Sequence, residues 1–203
     1  MNQDADIMDA QMLRLRQAGI SQTVAAAVLE IDALLQNWRR QAARRELGRR
    51  ALVDLKVDLE LAQLDVLVAI EAPTNEFGIN PGETMIATIA ERLGIDPSRA
   101  SRLVSEMVEA GYARRAVSQA DARRTIIELN ERGKAVVEAV RAYKFLVIGD
   151  FLSDWDEEAL KAFVPMLHKF STWSEHTADG ASRFGPQIEE LARRLAEQAP
   201  QTA

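Results

Sequence analysis

Six arginines fall between Ser98 and Ile127: Arg99, Arg102, Arg114, Arg115, Arg123 and Arg124. Only three acids accompany them, Glu106, Glu109 and Asp121. The segment is locally positive inside a chain whose formal net charge is −6. A guanidinium is a planar fork of donors that fits phosphate oxygens and base edges. The hydroxyls of Ser98, Ser101 and Ser105, interleaved with Arg99 and Arg102, add shorter donors of the same use. A local field steers a polyanion more than the total charge does. The plain alternative for Ser98 to Ser105 alone is a polar helix surface. Asp121, two residues before Arg123, is placed to brace an arginine or a turn. No base lies near it in sequence to make it an acid catalyst.

Other chemistry is poorly supplied. The 203-residue, 22.6 kDa chain has no Cys, which removes disulfides, thiol nucleophiles, thiol redox sensing and Cys-ligated zinc. The two histidines, His168 and His176, lie near the C-terminus, the second beside Glu175. In a polar stretch without an apolar mouth they read as surface residues. No catalytic residue, metal ligand or cofactor is therefore expected, and an enzyme is not. The first residues, MNQDADIMDAQMLRLRQ, lack the basic start and apolar run of a signal peptide, and no window approaches a membrane span. A cytoplasmic location is expected by default. Hydrophobic residues at 47% supply a sizeable core for one domain with helical extensions.

The elements that must hold the arginines follow from spacing. Ile86, Ile89, Ala90 and Leu93 make one helix face, and Gly94 ends that helix in a left-handed turn. Asp96-Pro97 opens the next helix, with Asp as N-cap and Pro at the first position. Ala100, Leu103, Val104, Met107 and Val108 face inward there, leaving Ser98, Arg99, Ser101, Arg102 and Ser105 outside. Tyr112–Val117 and Thr125–Leu129 read as strands around the polar turn Ser118–Arg123. A helix, short turn, helix and hairpin in this order predict a mainly α fold with a small β wing, a winged helix-turn-helix.

The flanks look like scaffold. Helical periodicity runs from Ile7 to Leu52, and Gly19-Ile20-Ser21 allows a split with Ser21 as N-cap. So wide an apolar stripe needs cover, and a second subunit is one way to supply it. Arg39, Arg40, Arg44, Arg45, Arg49 and Arg50 form a charge run that suits a solvated helix end or supporting phosphate contacts. Leu59–Ile70 is a further helix with Leu61, Leu64, Leu67, Val68 and Ile70 as its apolar face. Glu71–Glu83 is a loop, pinned by Phe77 and Ile79. Asn130 caps a helix running to about Leu152. Asp154 with Glu157 reads as the capping pair of another, in which Pro165 is a kink or a boundary. Trp173–Pro186 reads as a loop, and Gln187–Gln198 as a last helix with Ile188, Leu191 and Leu195 on one face.

From Ala25 to Phe170 the chain resembles the MarR family of winged helix-turn-helix transcriptional regulators. The wing DARRTIIELNERG carries the likeness most specifically: Asp121 and Arg123 stand at the family's Asp and Arg, Leu129 and Gly133 at its Leu-Thr-x-x-Gly. Ala122 stands where a second Arg is frequent, and Asn130 replaces the Thr. IAERLGIDPSRASRLVSEMVEAGYARR is similar to the family's two DNA-binding helices, and ELAQLDVLVAI to the helix before them. The 71–83 loop, the extended N-terminus and the C-terminal helix depart from the pattern. The resemblance implies an intertwined helical homodimer that binds double-stranded DNA at a near-palindromic operator as a ligand-responsive repressor. It implies a small phenolic or aromatic effector between the dimer helices and the DNA-binding lobe; Trp38, Leu64, Tyr112 and Tyr143 are the candidate pocket residues, with core or interface packing as the plain alternative for each. The expected division is 8–58 for N-terminal dimerisation helices, 59–133 for the DNA-binding domain and 134–203 for C-terminal dimerisation helices with the extra terminal one. Arg114, Arg115 and Arg124 are expected at phosphates, and Arg123 at the minor groove. The competing class is a winged-helix protein-interaction module that no longer reads DNA.

Overall fold

The computed structural model describes residues 3–71 and 83–198. The expected 71–83 loop, with Phe77 and Ile79, thus falls almost wholly outside the described residues. The described chain forms two compact units: one spans 44–153, and the other takes the residues through 43 together with those from 154 onward.

The unit 44–153 holds helices α3 (Glu46–Asp54), α4 (Leu61–Glu71), α5 (Ile86–Leu93) and α6 (Pro97–Glu109), strands β1 (Ala113–Val117) and β2 (Thr125–Leu129), and α7 (Glu131–Ser153). Strand β1 pairs antiparallel with β2, with Arg115 opposite Ile127 and Val117 opposite Thr125. The two strands and the helix pair α5–α6 form the expected winged helix-turn-helix. Its core joins Val66, Leu67 and Ile70 of α4, Ile89 of α5, Leu103, Val104 and Met107 of α6, Ile127 and Leu129 of β2, and Val137 of α7. Each such aliphatic side chain withdrawn from water contributes about 1.5–3 kcal/mol before entropy is charged.

Local sequence explains the joints. Gly94 ends α5 at φ 62°, and Asp96 caps α6 by accepting the Arg99 backbone N–H at 2.8 Å. Gly111, at φ 73°, ends α6 and lets Tyr112 N–H reach the Met107 carbonyl at 2.9 Å. Asn130 is the N-cap expected for α7: its Oδ1 accepts from Gly133 N at 3.0 Å and its Nδ2 donates to the Gly111 carbonyl at 2.7 Å. Thr84 runs beside the hairpin, its carbonyl accepting from Ile127 N at 2.8 Å. Arg92 ties α5 to the body through the Ala69 carbonyl at 2.7 Å, and its burial pushes the guanidinium pKa down.

The second unit holds α1 (Gln3–Gln17), α2 (Gln22–Arg44), α8 (Glu157–Ser171), a 3₁₀ turn (Trp173–His176), α9 (Thr177–Arg183) and α10 (Gly185–Glu197). Ser21 caps α2 as expected, accepting from Val24 N at 3.3 Å. Helices α2 and α8 line an apolar groove of about 300 Å³ that includes Leu34, Trp38, Phe163, Met166 and Phe170.

Five expectations change. The helical run reaches Leu52 as expected but breaks at Arg45, whose φ of 53° is left-handed and whose guanidinium pairs with Asp65. In α4 the buried set includes Val66 and Ala69, while Val68 is exposed. The N-cap of α8 is Asp156, accepting from Ala159 N at 2.6 Å, not Asp154. Helix α8 runs unbroken through Pro165, which marks no boundary. Trp173–Pro186 is not a loop: it folds as the 3₁₀ turn, α9 and the start of α10, with Pro186 in the first turn of α10, where its missing N–H is tolerated. No helix of the described residues is long and apolar enough to cross a membrane.

Candidate nucleic-acid interface

The N-terminal half of α6 presents Arg99 and Arg102 to solvent. Arg102 makes one loose contact, 3.8 Å to Glu106 one turn on, and the guanidinium of Arg99 has no acidic partner among the described residues. Both remain available to an outside acceptor. Ser98 is committed differently. Its hydroxyl donates to the Asp96 carboxylate, which also takes the Arg99 N–H. The Ser98 hydroxyl, first, and that N–H, second, hold the Asp96 carboxyl below its usual range. The first turn of α6 therefore carries its own anion, which suits the helix dipole and leaves recognition to the side chains. Ser101 and Ser105 are half-buried. The Ser105 hydroxyl accepts from Arg115 Nη2 at 3.0 Å, tying β1 to α6.

Alternation along β1 sends Arg114 and Arg115 to opposite faces of the ribbon. Arg115 turns to α6. Arg114 turns to the other face, where it pairs with Glu128 at 2.8 Å across the strands.

Seven residues, 118–124, form the tip of the wing, and several contacts fix it. Ser118 N donates to the Arg124 carbonyl at 3.0 Å. The buried Ser118 hydroxyl accepts from Ala120 N at 3.1 Å and Asp121 N at 2.9 Å. Asp121 does what its position suggested. One carboxylate oxygen accepts from Arg123 N at 3.0 Å and the other lies 3.3 Å from Arg124 Nε. Arg123 is exposed, and its guanidinium has no acidic partner among the described residues. Outside the hairpin, Glu83 reaches in: its carboxylate accepts from the Ser118 hydroxyl and from Gln119 N at 2.8 Å. The Ser118 hydrogen bond is the main reason its carboxyl titrates low.

Gly133 has a contact reason to be glycine. A Cβ on Gly133 would stand 2.1 Å from the Tyr112 carbonyl oxygen and 3.2 Å from Leu129 Cδ2. Asn130 N donates to that same carbonyl at 3.1 Å. The first turn of α7 thus sits directly on the start of β1, and only a bare Cα fits.

Four residues were expected around an effector. Leu64 and Tyr112 are buried within 44–153. The Tyr112 hydroxyl accepts from Arg132 Nη2 at 2.8 Å, and the Arg132 guanidinium lies 4.1 Å from the ring centroid. Tyr143 donates to Asp54 Oδ2 at 2.6 Å, joining α7 to α3, and that bond to a carboxylate raises its pKa. Trp38 belongs to the other unit and lines the α2–α8 groove. Sequence reasoning missed Glu83 as a wing contact and Ser105 as an anchor for Arg115. Their partners lie 35 and 10 residues away, and local spacing carries no such signal.

Residues 57–124 match the family model described as MarR family. An uncharacterized HTH-type transcriptional regulator, YfiV of Bacillus subtilis (strain 168), is 26% identical over 82 residues. Those residues are 40% of this chain and 46% of that relative, so the match spans less than half of its length. A MarR family protein from Bacillus stearothermophilus shares the fold at a TM-score of 0.60 and 19% identity, over 74% of this chain and 96% of that one. RV1404 from Mycobacterium tuberculosis superposes at a TM-score of 0.53 and 24% identity, over 70% and 89%. The family match falls on α4, the α5–α6 pair, β1 and the tip of the wing, so this part of the chain is similar to the MarR family.

Proposed function

We propose that this protein is a sequence-specific DNA-binding transcriptional regulator that works as a homodimer on a near-palindromic operator. The observation that carries the reading is α6, with Arg99 and Arg102 exposed, beside a braced hairpin whose tip exposes Arg123 without an acidic partner among the described residues. A helix of this size fits the major groove, and an arginine at a wing tip suits the narrow minor groove beside it. Arg99 and Arg102 then read base edges, while Arg115 and Arg124 position the protein on phosphates. Arg114, on the opposite face and already paired with Glu128, contributes less than the sequence alone suggests.

The dimer reading rests on uncovered apolar surface. The C-terminal half of α7 exposes Phe145 and Leu146, at 59% and 74%, and α2 exposes Val24, Val28, Leu34 and Trp38. A second copy covers such faces and sets two α6 helices about 34 Å apart, one turn of DNA. A small aromatic effector that binds one spacing better than another shifts the dimer away from DNA by that difference alone. Trp38 serves as a fluorescent reporter. No saturable change with aromatic acids, and no change in DNA affinity, would remove the effector from the reading.

The test of DNA binding is a duplex titration at several salt concentrations. Affinity should fall steeply as salt rises, because neutralised phosphates release counterions, and Arg123→Ala should weaken binding while the dimer persists. The second reading, a protein-interaction module, is favoured by the net charge of −6 and by the internal pairing of Arg114 and Arg124. Failure to bind any duplex at low salt would favour it.

A further inference from the structure

We infer that Glu83 is a positioning residue for the wing: by accepting from the Ser118 hydroxyl and the Gln119 backbone N–H, it fixes the 118–124 tip in the geometry that presents Arg123. This rests on the DNA-binding reading and adds to it a residue outside the hairpin. Three observations support it. Both Glu83 carboxylate oxygens are used on the hairpin, one on a side chain and one on the backbone. Ser118, the residue they hold, is itself buried and accepts from the N–H groups of Ala120 and Asp121, so it passes the restraint into the turn. The neighbour of Glu83, Thr84, is anchored on both sides, by Ile127 N to its carbonyl at 2.8 Å and by its own hydroxyl to the Ile70 carbonyl at 3.2 Å. The clamp therefore stands on the core and not on a free loop.

The charge of Glu83 points the same way. A carboxylate beside a phosphate-binding surface weakens binding by repulsion, and only another contribution offsets that cost. Here its lone pairs are turned to donors of the wing, and charge-assisted bonds of this kind are the stronger ones. Two acids outside recognition then share one task. Asp121 braces the tip from within the turn, and Glu83 braces its base from outside.

The experiment is a set of double-mutant cycles on operator affinity, using full-length protein and a duplex that it selects from a random pool. Glu83→Ala should cost about five- to tenfold in affinity, with the dimer retained. In an Arg123→Ala background the same change should cost little, because the residue it positions is gone. In an Arg102→Ala background it should cost its full factor, because α6 is held independently by Asp96 and the core. Ser118→Ala should likewise mask Glu83→Ala. Hydrogen exchange of the 119–123 amides in free protein should quicken in Glu83→Ala and leave α6 unchanged. Full additivity with Arg123→Ala, or wild-type affinity in Glu83→Ala, overturns the inference while the DNA-binding reading stands. Wild-type protein that binds no duplex overturns the DNA-binding reading and this inference with it.

Discussion

Replacing Gly133 by Ala sets two physical effects of opposite sign against each other. Gly133 is the third residue of α7, and helix propensity alone makes Ala the better residue by about 0.8–1.0 kcal/mol. The structure says otherwise. The new methyl would lie 2.1 Å from the Tyr112 carbonyl oxygen, more than 1 Å inside the 3.4 Å at which ordinary contact begins. The obstacle is backbone at the start of β1, which cannot swing aside as a side chain tip does. Relief requires α7 to lift, which stretches the Asn130 N–H bond to that carbonyl and the cap from Asn130 to Gly133. Overpacking costs about 1–3 kcal/mol, and a weakened hydrogen bond with a weakened cap about 1–2 more. After the propensity gain, Gly133→Ala should destabilise by about 1–4 kcal/mol. Urea unfolding at fixed protein concentration measures this directly, since a dimer couples stability to concentration. A variant as stable as wild type, or more stable, would refute the close-approach argument for Gly133.

Further outcomes test the interface and its supports. Arg99→Ala and Arg102→Ala should change which base pairs are preferred, each by about 1–3 kcal/mol at a good contact. Arg114→Ala should change affinity little and evenly across sequences, and a sequence-dependent loss there would restore it to the reading face. Leu146→Asp places a charge on the exposed face of α7 and should shift the mass in sedimentation from twice 22.6 kDa towards the single chain, whereas an unaffected dimer would remove that face from the interface. The carboxyls of Glu83 and Asp96 both titrate below their ordinary values, so their contributions are complete above the ordinary carboxylate range and are lost only as pH falls through the lowered folded values. Binding should thus show no loss from these groups between pH 6 and 8. A decline in that window that vanishes in Glu83→Ala would contradict the assignment.

Much of the DNA-binding unit was legible because its signals are local. Gly94, Asp96-Pro97 and Asn130 set helix ends through their own backbone and side-chain preferences, and the β-branched Thr125, Ile126 and Ile127 mark β2 as a strand. The period of α5 and α6 gave their buried faces because each is polar on the other side. Helix α4, LAQLDVLVAI, is apolar almost all round, so period alone could not separate buried Val66 from exposed Val68. The Gly, Ser and Pro of Trp173–Pro186 suggested a loop, yet Pro186 stands where a helix accepts it and Gly180 lies inside α9, a cost of about 1 kcal/mol that α9 absorbs. The left-handed break at Arg45 has no local signature, since it is tied to Asp65 twenty residues on. At the site, residue types announced the arginines but not their pairing. Glu128, Ser105 and Glu83 reach them through strand register and tertiary approach, which spacing in one chain does not encode.

The central claim is that two copies of α6 and the wing read a specific sequence together. Selection from a pool of random duplexes, followed by sequencing of the bound fraction, tests it most directly. The account predicts an enriched inverted repeat with half-sites about one helical turn apart, lost in Arg99→Ala and Arg102→Ala protein. A pool that stays random while residual binding disappears at moderate salt would contradict it.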